Sequence, residues 1–451
     1  MIGVDYLFGF NRELISRVFR ISLPMLISEI ASSIYSVTDM YFVKGLGEDA
    51  LGAVGIGSYF FWLFTVILSM FNGGLMVYIA QAYGARELDK ARRGLGETLV
   101  YGAIASILIG VIGYIIGYQV LVLIRGQEDL TATLAYKYFR IRSLGLPLTL
   151  ISWSLSTSLV AIGETRKSMY ANITGIAFNI VLDPLLIYGY DYFPALGVEG
   201  AALATILSNV ITLLIAYYYL TLHDLKPCLC FNILILKNIL SLGIPIAVER
   251  AIFSLGNNLY MGVISRCGKA AINAHTIGVR VESFIYMPGF AFSIAGSALV
   301  GQSIGAEKID NAKAIGLEAI KAALVFMTII GLVTALSSYY ITAPFIPEGE
   351  LSEEIHALAS IYLILAGLSE PGLALAMASA GAIRGAGNTR LPVIVNAFSL
   401  YLLRILPSII LVQYIGVIGA WIAMFIDVYV RGIILFTIYI KRFHRIARKV
   451  V

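Results

Sequence analysis

Apolar residues run along this chain in long blocks, interrupted by single polar positions and separated by short polar turns. The blocks fall near 19–43, 50–80, 95–122, 132–159, 166–190, 199–221, 237–263, 271–302, 314–344, 355–383, 391–414 and 417–440. A helix needs roughly 20 mostly apolar residues to cross a bilayer, and each block is long enough. Membrane strands would instead show alternating segments of roughly ten residues, a period that is absent. The pattern predicts an all-α integral membrane protein of twelve transmembrane helices. No small-residue cleavage pattern follows the first block, so it reads as a span and not as a removed signal. No long hydrophilic segment extends an end or separates two spans, so no soluble catalytic or regulatory domain is expected.

Composition sharpens this reading. Of 451 residues, 59% are hydrophobic and 13% charged, and mean hydropathy is +0.87. A soluble protein carries roughly 25% charged residues to cover its wet surface, so a soluble fold is excluded. The remaining charges are uneven. Arg12, Arg17, Arg86, Lys90, Arg92, Arg93, Arg166, Lys167, Lys226, Lys308, Lys313, Arg384 and Arg390 fall in alternate loops, and Lys441, Arg442, Arg445, Arg448 and Lys449 in the tail. The opposite loops hold Lys44, Arg125, Lys137, Arg266 and Lys269 beside acidic Glu348, Glu350, Glu353 and Glu354. The positive-inside rule then predicts a multi-pass protein of the cell membrane with both termini cytoplasmic. The net charge of +5 reads as topology, and no nucleic-acid partner is expected. Cys228 and Cys230 fall in a cytoplasmic loop, where thiols are expected to stay reduced. With no His nearby, they do not suggest a metal site.

The chain also repeats itself. A shift of 221 places Pro24 on Pro245, Gly47 on Gly268 and Gly57 on Gly278, and lays Gln81-x-x-Gly84-Ala85-x-x-x-Asp89-x-Ala91 on Gln302-x-x-Gly305-Ala306-x-x-x-Asp310-x-Ala312. A shift of 224 matches Tyr138 to Tyr362, Pro147 to Pro371, Gly163 to Gly387 and Asn172 to Asn396, and one of 219 matches Gly197 to Gly416. The difference is assigned to a short insertion near Tyr190-Asp191-Tyr192-Phe193-Pro194. Each half, 1–225 and 226–451, holds six spans, an even number, so the halves share one orientation. Such parallel repeats can rock about a central cavity, the architecture of alternating access.

A carboxylate at the bilayer centre costs about 2.5–3.5 kcal/mol on insertion scales, so a retained one needs a reason. Asp39 lies late in the first span and Asp183 late in the fifth. Tyr35 and Asp39 are one turn apart, as are Asn179 and Asp183, so each pair shares a helix face. Thr205 lies in the sixth span, and Ser32 one turn before Ser36 in the first. If these faces meet, two carboxylates, an amide oxygen and a hydroxyl converge. Oxygen ligands suit a hard cation such as Na+, and two close carboxylates also hold a proton. The equivalent positions in the second half are Tyr260 and Pro407, so the cluster is not a by-product of duplication. There Glu249, Arg280 and Glu282 are candidates for a substrate or proton pathway. Glu370 reads as interfacial, and Asp427–Arg431 as an ion pair within one helix. Aromatic residues such as Tyr35 suit flat cationic compounds through cation–π contact.

Together these residues resemble the multidrug and toxic compound extrusion (MATE) family, over essentially the whole chain. The resemblance rests on Leu23-Pro24, Asp39-x-x-x-Val43-x-Gly45-Leu-Gly47, Gln81-x-x-Gly84-Ala85, Asn179-Ile-Val-Leu-Asp183-Pro184 and Gly197-Val-Glu-Gly200-Ala-Ala-x-Ala-Thr205. In the second half it rests on Ala274-His-x-Ile-x-x-Arg280-Val-Glu282-Ser and Arg384-Gly-Ala-Gly-Asn-Thr-Arg390. It looks closest to the DinF-like branch. That resemblance implies cation-coupled export of small, often cationic organic compounds by a monomer, with Na+ or H+ as coupling ion and no other cofactor. It assigns the coupling-ion site to Asp39, Asn179, Asp183 and Thr205. Another branch uses acids of the seventh and tenth spans. Glu249 fits the first of these, whereas the second falls near apolar Leu373.

Four alternatives compete. A flippase of lipid-linked substrates in the same superfamily would favour a strongly basic cavity, and few Arg or Lys fall inside the spans. A major facilitator is also six plus six, but the Asn179–Asp183 cluster and the Gln-x-x-Gly-Ala repeat fit it poorly. A membrane-embedded enzyme would need a catalytic set inside the spans, such as paired His or Ser–His, and none is present. A channel would need a filter-like loop, which is not seen.

Overall fold

The computed structural model describes residues 9–190 and 194–451. Asp191, Tyr192 and Phe193 of the expected insertion lie outside the described residues. The chain forms twelve helical spans, designated α1 to α12. They are α1 (Arg12–Lys44), α2 (Glu48–Gly84), α3 (Leu88–Arg125), α4 (Leu130–Leu144 with Leu146–Ala161), α5 (Thr165–Tyr188), α6 (Val198–Thr221), α7 (Ile233–Ile264), α8 (Lys269–Ile285 with Met287–Gly305), α9 (Ile309–Leu336), α10 (Ser352–Gly385), α11 (Arg390–Ile415) and α12 (Val417–Ile446). Among the described residues nine single helices are long and apolar enough to cross a membrane, and eleven with the two bent pairs counted. The twelfth, α1, bears Glu29 and Asp39 and contains Pro24.

Local chemistry sets the ends. Asn11 starts α1, its side-chain oxygen accepting from the amides of Glu13 and Leu14 at 3.1 and 3.2 Å. Asp129 starts α4 in the same way, accepting from Ala132 N at 2.8 Å. Both satisfy amides that a first turn leaves without intrahelical partners. The bends in α4 and α8, of 53° and 40°, come just before Pro147 and Pro288, which cannot donate into a continuous ladder.

The duplication is visible in the backbone. Gly47 and Gly268, related by the shift of 221, have φ of 104° and 97°; Gly197 and Gly416, related by the shift of 219, have 56° and 63°. These are left-handed conformations that side-chain-bearing residues avoid. Even the non-glycine exceptions pair, Arg86 at 60° with Glu307 at 62°.

Contacts group the chain into Ile27–Ala247 with Val451, here the first unit, and Met1–Leu26 with Val248–Val450, the second. This grouping differs from the division expected in the loop after residue 225, because each unit takes in half of a proline-interrupted helix. In the first unit, Gly74 and Gly243 bring α2 and the start of α7 together backbone to backbone. A Cβ on Gly74 would lie 1.9 Å from Ile239 O, and one on Gly243 1.6 Å from Met70 O. In the second unit, Leu14, Val18 and Ile21 of α1 are buried in the cluster that holds Phe292, Leu299 and Ile320. Phe19 meets Phe292 edge to face. Pro24 and Pro245 lie inside α1 and α7, close to where the grouping changes.

The loop before α7 carries a departure from expectation. Cys228 and Cys230, read as reduced thiols, are joined sulfur to sulfur. Such a link encloses almost no chain and so constrains little of the unfolded ensemble.

Candidate functional site

In the first unit, α5 and α6 lie unusually close. A Cβ on Gly175 would stand 2.0 Å from Thr212 Oγ1, and one on Gly200 2.2 Å from Leu186 O. Small residues of this kind let membrane helices approach backbone to backbone, which fixes the register between Asn179, Asp183 and Thr205. Gly200→Ala is therefore expected to cost about 1–3 kcal/mol, because the obstacle is a main-chain carbonyl that no rotamer change removes. Thermal unfolding in detergent measures it; an unchanged melting temperature would show that the contact is slack.

The register produces a hydrogen-bonded set. With its amide oriented by its neighbours, Asn179 donates to Asp183 Oδ2 at 2.8 Å and accepts from Thr205 N at 3.1 Å. Thr205 Oγ1 lies 3.2 Å from the Tyr35 hydroxyl, which brings in α1. Asp39 stands one turn beyond Tyr35 and interacts electrostatically with Asp183. Asp183 is 0% exposed, Asn179 1% and Thr205 8%. Pro184, inside α5, has no amide hydrogen, so the carbonyl of Ile180 loses its helical donor. One carboxylate oxygen on each of Asp39 and Asp183 is shielded from solvent without a hydrogen-bond partner. Two acids with spare oxygens, beside amide and hydroxyl oxygens, can hold one proton or a small hard cation. No group of three or more His, Cys, Asp or Glu that could hold a metal ion exists among the described residues.

Of the residues singled out in sequence, Asp39, Asn179, Asp183, Thr205 and Tyr35 are thus brought together. Ser32 is not: it is exposed, and its hydroxyl is spent on the carbonyl of Ser28 at 2.9 Å. Two neighbours were missed. Tyr138 of α4 accepts from Ser58 Oγ at 3.2 Å and lies within the electrostatic reach of both acids. Arg142, one turn further on, acts on Asp39 and Tyr35. A charge inside the fourth apolar block was the available signal for Arg142.

The second unit uses its charges differently. Glu249 does not offer a free carboxylate: both its oxygens accept from Arg384 Nη2 at 2.7 Å, and Oε1 also accepts from Asn396 at 2.5 Å. Arg280 is exposed. Glu282 accepts from the Tyr362 hydroxyl. Two expectations are overturned. Asp427 pairs with Arg404 of α11 at 2.8 Å and with Ser399, while Arg431 instead lies over the Phe253 ring at 5.4 Å. The reason is a π-helical segment, Leu400–Ile405, whose wider turn lies between Ser399 and Arg404. Glu370 is not interfacial: it is 0% exposed, midway along α10, and neither oxygen finds a partner.

Comparison with known proteins agrees with this architecture. The MatE family model matches residues 24–185 and again 245–410, one match in each repeat. Two similar proteins are the probable multidrug resistance protein NorM of Thermotoga maritima, 28% identical over 93% of this chain and 91% of that one, and YoeA of Bacillus subtilis, 27% identical over 89% and 88%. A protein of Shewanella oneidensis named FAD transporter is 26% identical over 92% of each chain. Among solved structures, a MOP superfamily transporter from Pyrococcus furiosus superposes with a TM-score of 0.87 at 23% identity over 99% of both chains. A Vibrio cholerae MATE transporter gives 0.88 at 19% identity over 96% and 98%. With its twelve apolar helices in two repeats, each matching the family, this chain belongs to the MATE family of multidrug efflux transporters and is not an enzyme.

Proposed function

We propose that the protein exports small organic compounds, often cationic, in exchange for a monovalent cation, Na+ or H+, that enters through Asp39, Asn179, Asp183 and Thr205. The observation that carries this reading is the Asn179 bridge between Asp183 and Thr205, with spare carboxylate oxygens on Asp183 and Asp39. Buried acids in a bilayer are costly, and a passing cation that neutralises them gives a reason for both. The residue set resembles that of the DinF-like branch. Alternating access would expose the site to each side in turn. The charge asymmetry of the loops supports cytoplasmic termini in the cell membrane, and six spans per repeat make a working unit of one chain.

The test is transport in proteoliposomes loaded with a cationic dye, with a Na+ gradient and a pH gradient imposed separately. At least one gradient should drive dye against its own concentration, and the other should fail when the first is collapsed. Accumulation indifferent to both gradients would exclude cation-coupled exchange. A flavin dinucleotide arm is worth including because one relative is named for that cargo.

A further inference from the structure

Arg142 is a charged group of the first unit that the proposed exchange leaves without a task. It lies on the first segment of α4, half-buried, with its guanidinium carbon 4.2 Å from the centre of the Phe61 ring. Its Nε and Nη1 are shielded from solvent and find no acceptor. Its charge acts on Asp39, Tyr35 and Tyr138. Among the described residues it forms no ion pair, in contrast to Arg140, which reaches Glu199 at 2.5 Å. The guanidinium is thus held on an aromatic face within electrostatic reach of Asp39 but not bonded to it, a stacked mode that Arg adopts as well as the bidentate pair.

Charge bookkeeping gives the arrangement a meaning. With both ionised, Asp39 and Asp183 would together carry two negative charges. Arg142 supplies one positive charge that cannot leave. A single mobile monovalent cation then brings the cluster to neutrality, the state a low-dielectric interior favours. Without Arg142, one mobile cation would leave a net negative charge, and the first cation would bind a doubly negative site. The shielding of Nε and Nη1 argues against a role in gripping an anionic cargo, because those donors are closed to solvent.

We propose that Arg142 is the resident cation of the first-unit site: it limits the site to one exchangeable monovalent cation and weakens that cation's binding so that it can be released in each cycle. This inference rests on the exchange reading above and deepens it. Arg142 is a positioning and specificity residue that acts through Asp39.

The test compares wild type, Arg142→Gln, Arg142→Lys and Asp39→Asn in proteoliposomes, using whichever cation, Na+ or H+, drives dye efflux. Removing a fixed positive charge from beside the site should lower the half-saturating cation activity at least about tenfold in R142Q. R142K keeps the charge and should stay near wild type. D39N should lose driven efflux altogether. If R142Q transports too weakly to titrate, the cation-induced rise in melting temperature of the detergent-purified protein reports the same affinity, and its midpoint should move down by the same factor. An unmoved or raised half-saturation in folded R142Q, with D39N inactive, overturns the resident-cation role while leaving the exchange site standing. Normal driven efflux in D39N would instead overturn the exchange site itself.

Discussion

Asp183→Asn should yield a folded protein that no longer expels substrate against a gradient. The substitution keeps shape and hydrogen-bonding capacity but removes the charge. Asn179 bridges Asp183 to Thr205, and an amide at 183 can still join that bridge, so α5 and α6 should stay in register. The site, however, would have lost the carboxylate that a proton or sodium ion must visit. Without that carboxylate the cation gradient has nothing to couple to, and driven efflux should be lost. Asp39→Asn should do the same. Downhill leakage of dye should change far less, since it does not draw on the cation. Melting temperature near wild type is part of the expectation, because a collapse of both fold and transport would say nothing about coupling. Efflux in both variants at the wild-type rate would remove these acids from the mechanism.

The largest stability effect is expected in the second unit. Asp427 is 0% exposed and accepts from Arg404 Nε at 2.9 Å and Nη2 at 2.8 Å, with Ser399 donating to its other oxygen. Buried Arg431 lies one turn away on the same helix and feels the same carboxylate. Asp427→Asn would leave two buried guanidinium groups facing an uncharged amide. Removing one partner of a buried pair costs about 3–5 kcal/mol, because the other charge stays behind without compensation. The variant should show a melting temperature lowered by several degrees in detergent. Replacing both arginines as well, in Arg404→Met and Arg431→Met with Asp427→Leu, should recover much of the loss, since an apolar set of similar volume leaves no stranded charge. A single variant as stable as wild type would mean that the two arginines find other acceptors or water.

These two regions also show what sequence can disclose and what it cannot. Span number and order follow from hydropathy alone, because a bilayer leaves helices little alternative. The duplication was equally legible, since the repeat-related glycines at 47 and 268 answer the same left-handed turn. Within α5, the turn spacing of Asn179 and Asp183 was enough to place both on one face. What joined them to Thr205 was the register of α5 against α6, set by close approach at Gly175 and Gly200. Spacing along a single helix carries no information on that contact.

The misreadings share a cause. Regular α-helical geometry pairs Asp427 with Arg431, one turn away. The nearer partner, Arg404, lies 23 positions away, at the end of a π-helical segment that hydropathy does not reveal. Glu370 was placed at an interface because a membrane charge is cheapest there, yet it sits where α9 and α10 press together at Gly331 and Gly367. Arg142 was passed over because its importance depends on its distance from Asp39, which no local pattern encodes. Contact grouping cuts α1 and α7 because packing follows side-chain surfaces rather than helix continuity.

Direct exchange at equilibrium probes the central claim without any gradient. Purified protein in a weakly buffered solution containing labelled sodium would be titrated with dye, with release of sodium and of protons followed together. If substrate and cation compete for one transporter, linkage requires that binding of either drives off the other. Wild type should release one of the two cations as dye binds, and Asp39→Asn with Asp183→Asn should bind dye with no release. Undiminished cation release by that folded double variant would show that the exchanged ion resides elsewhere.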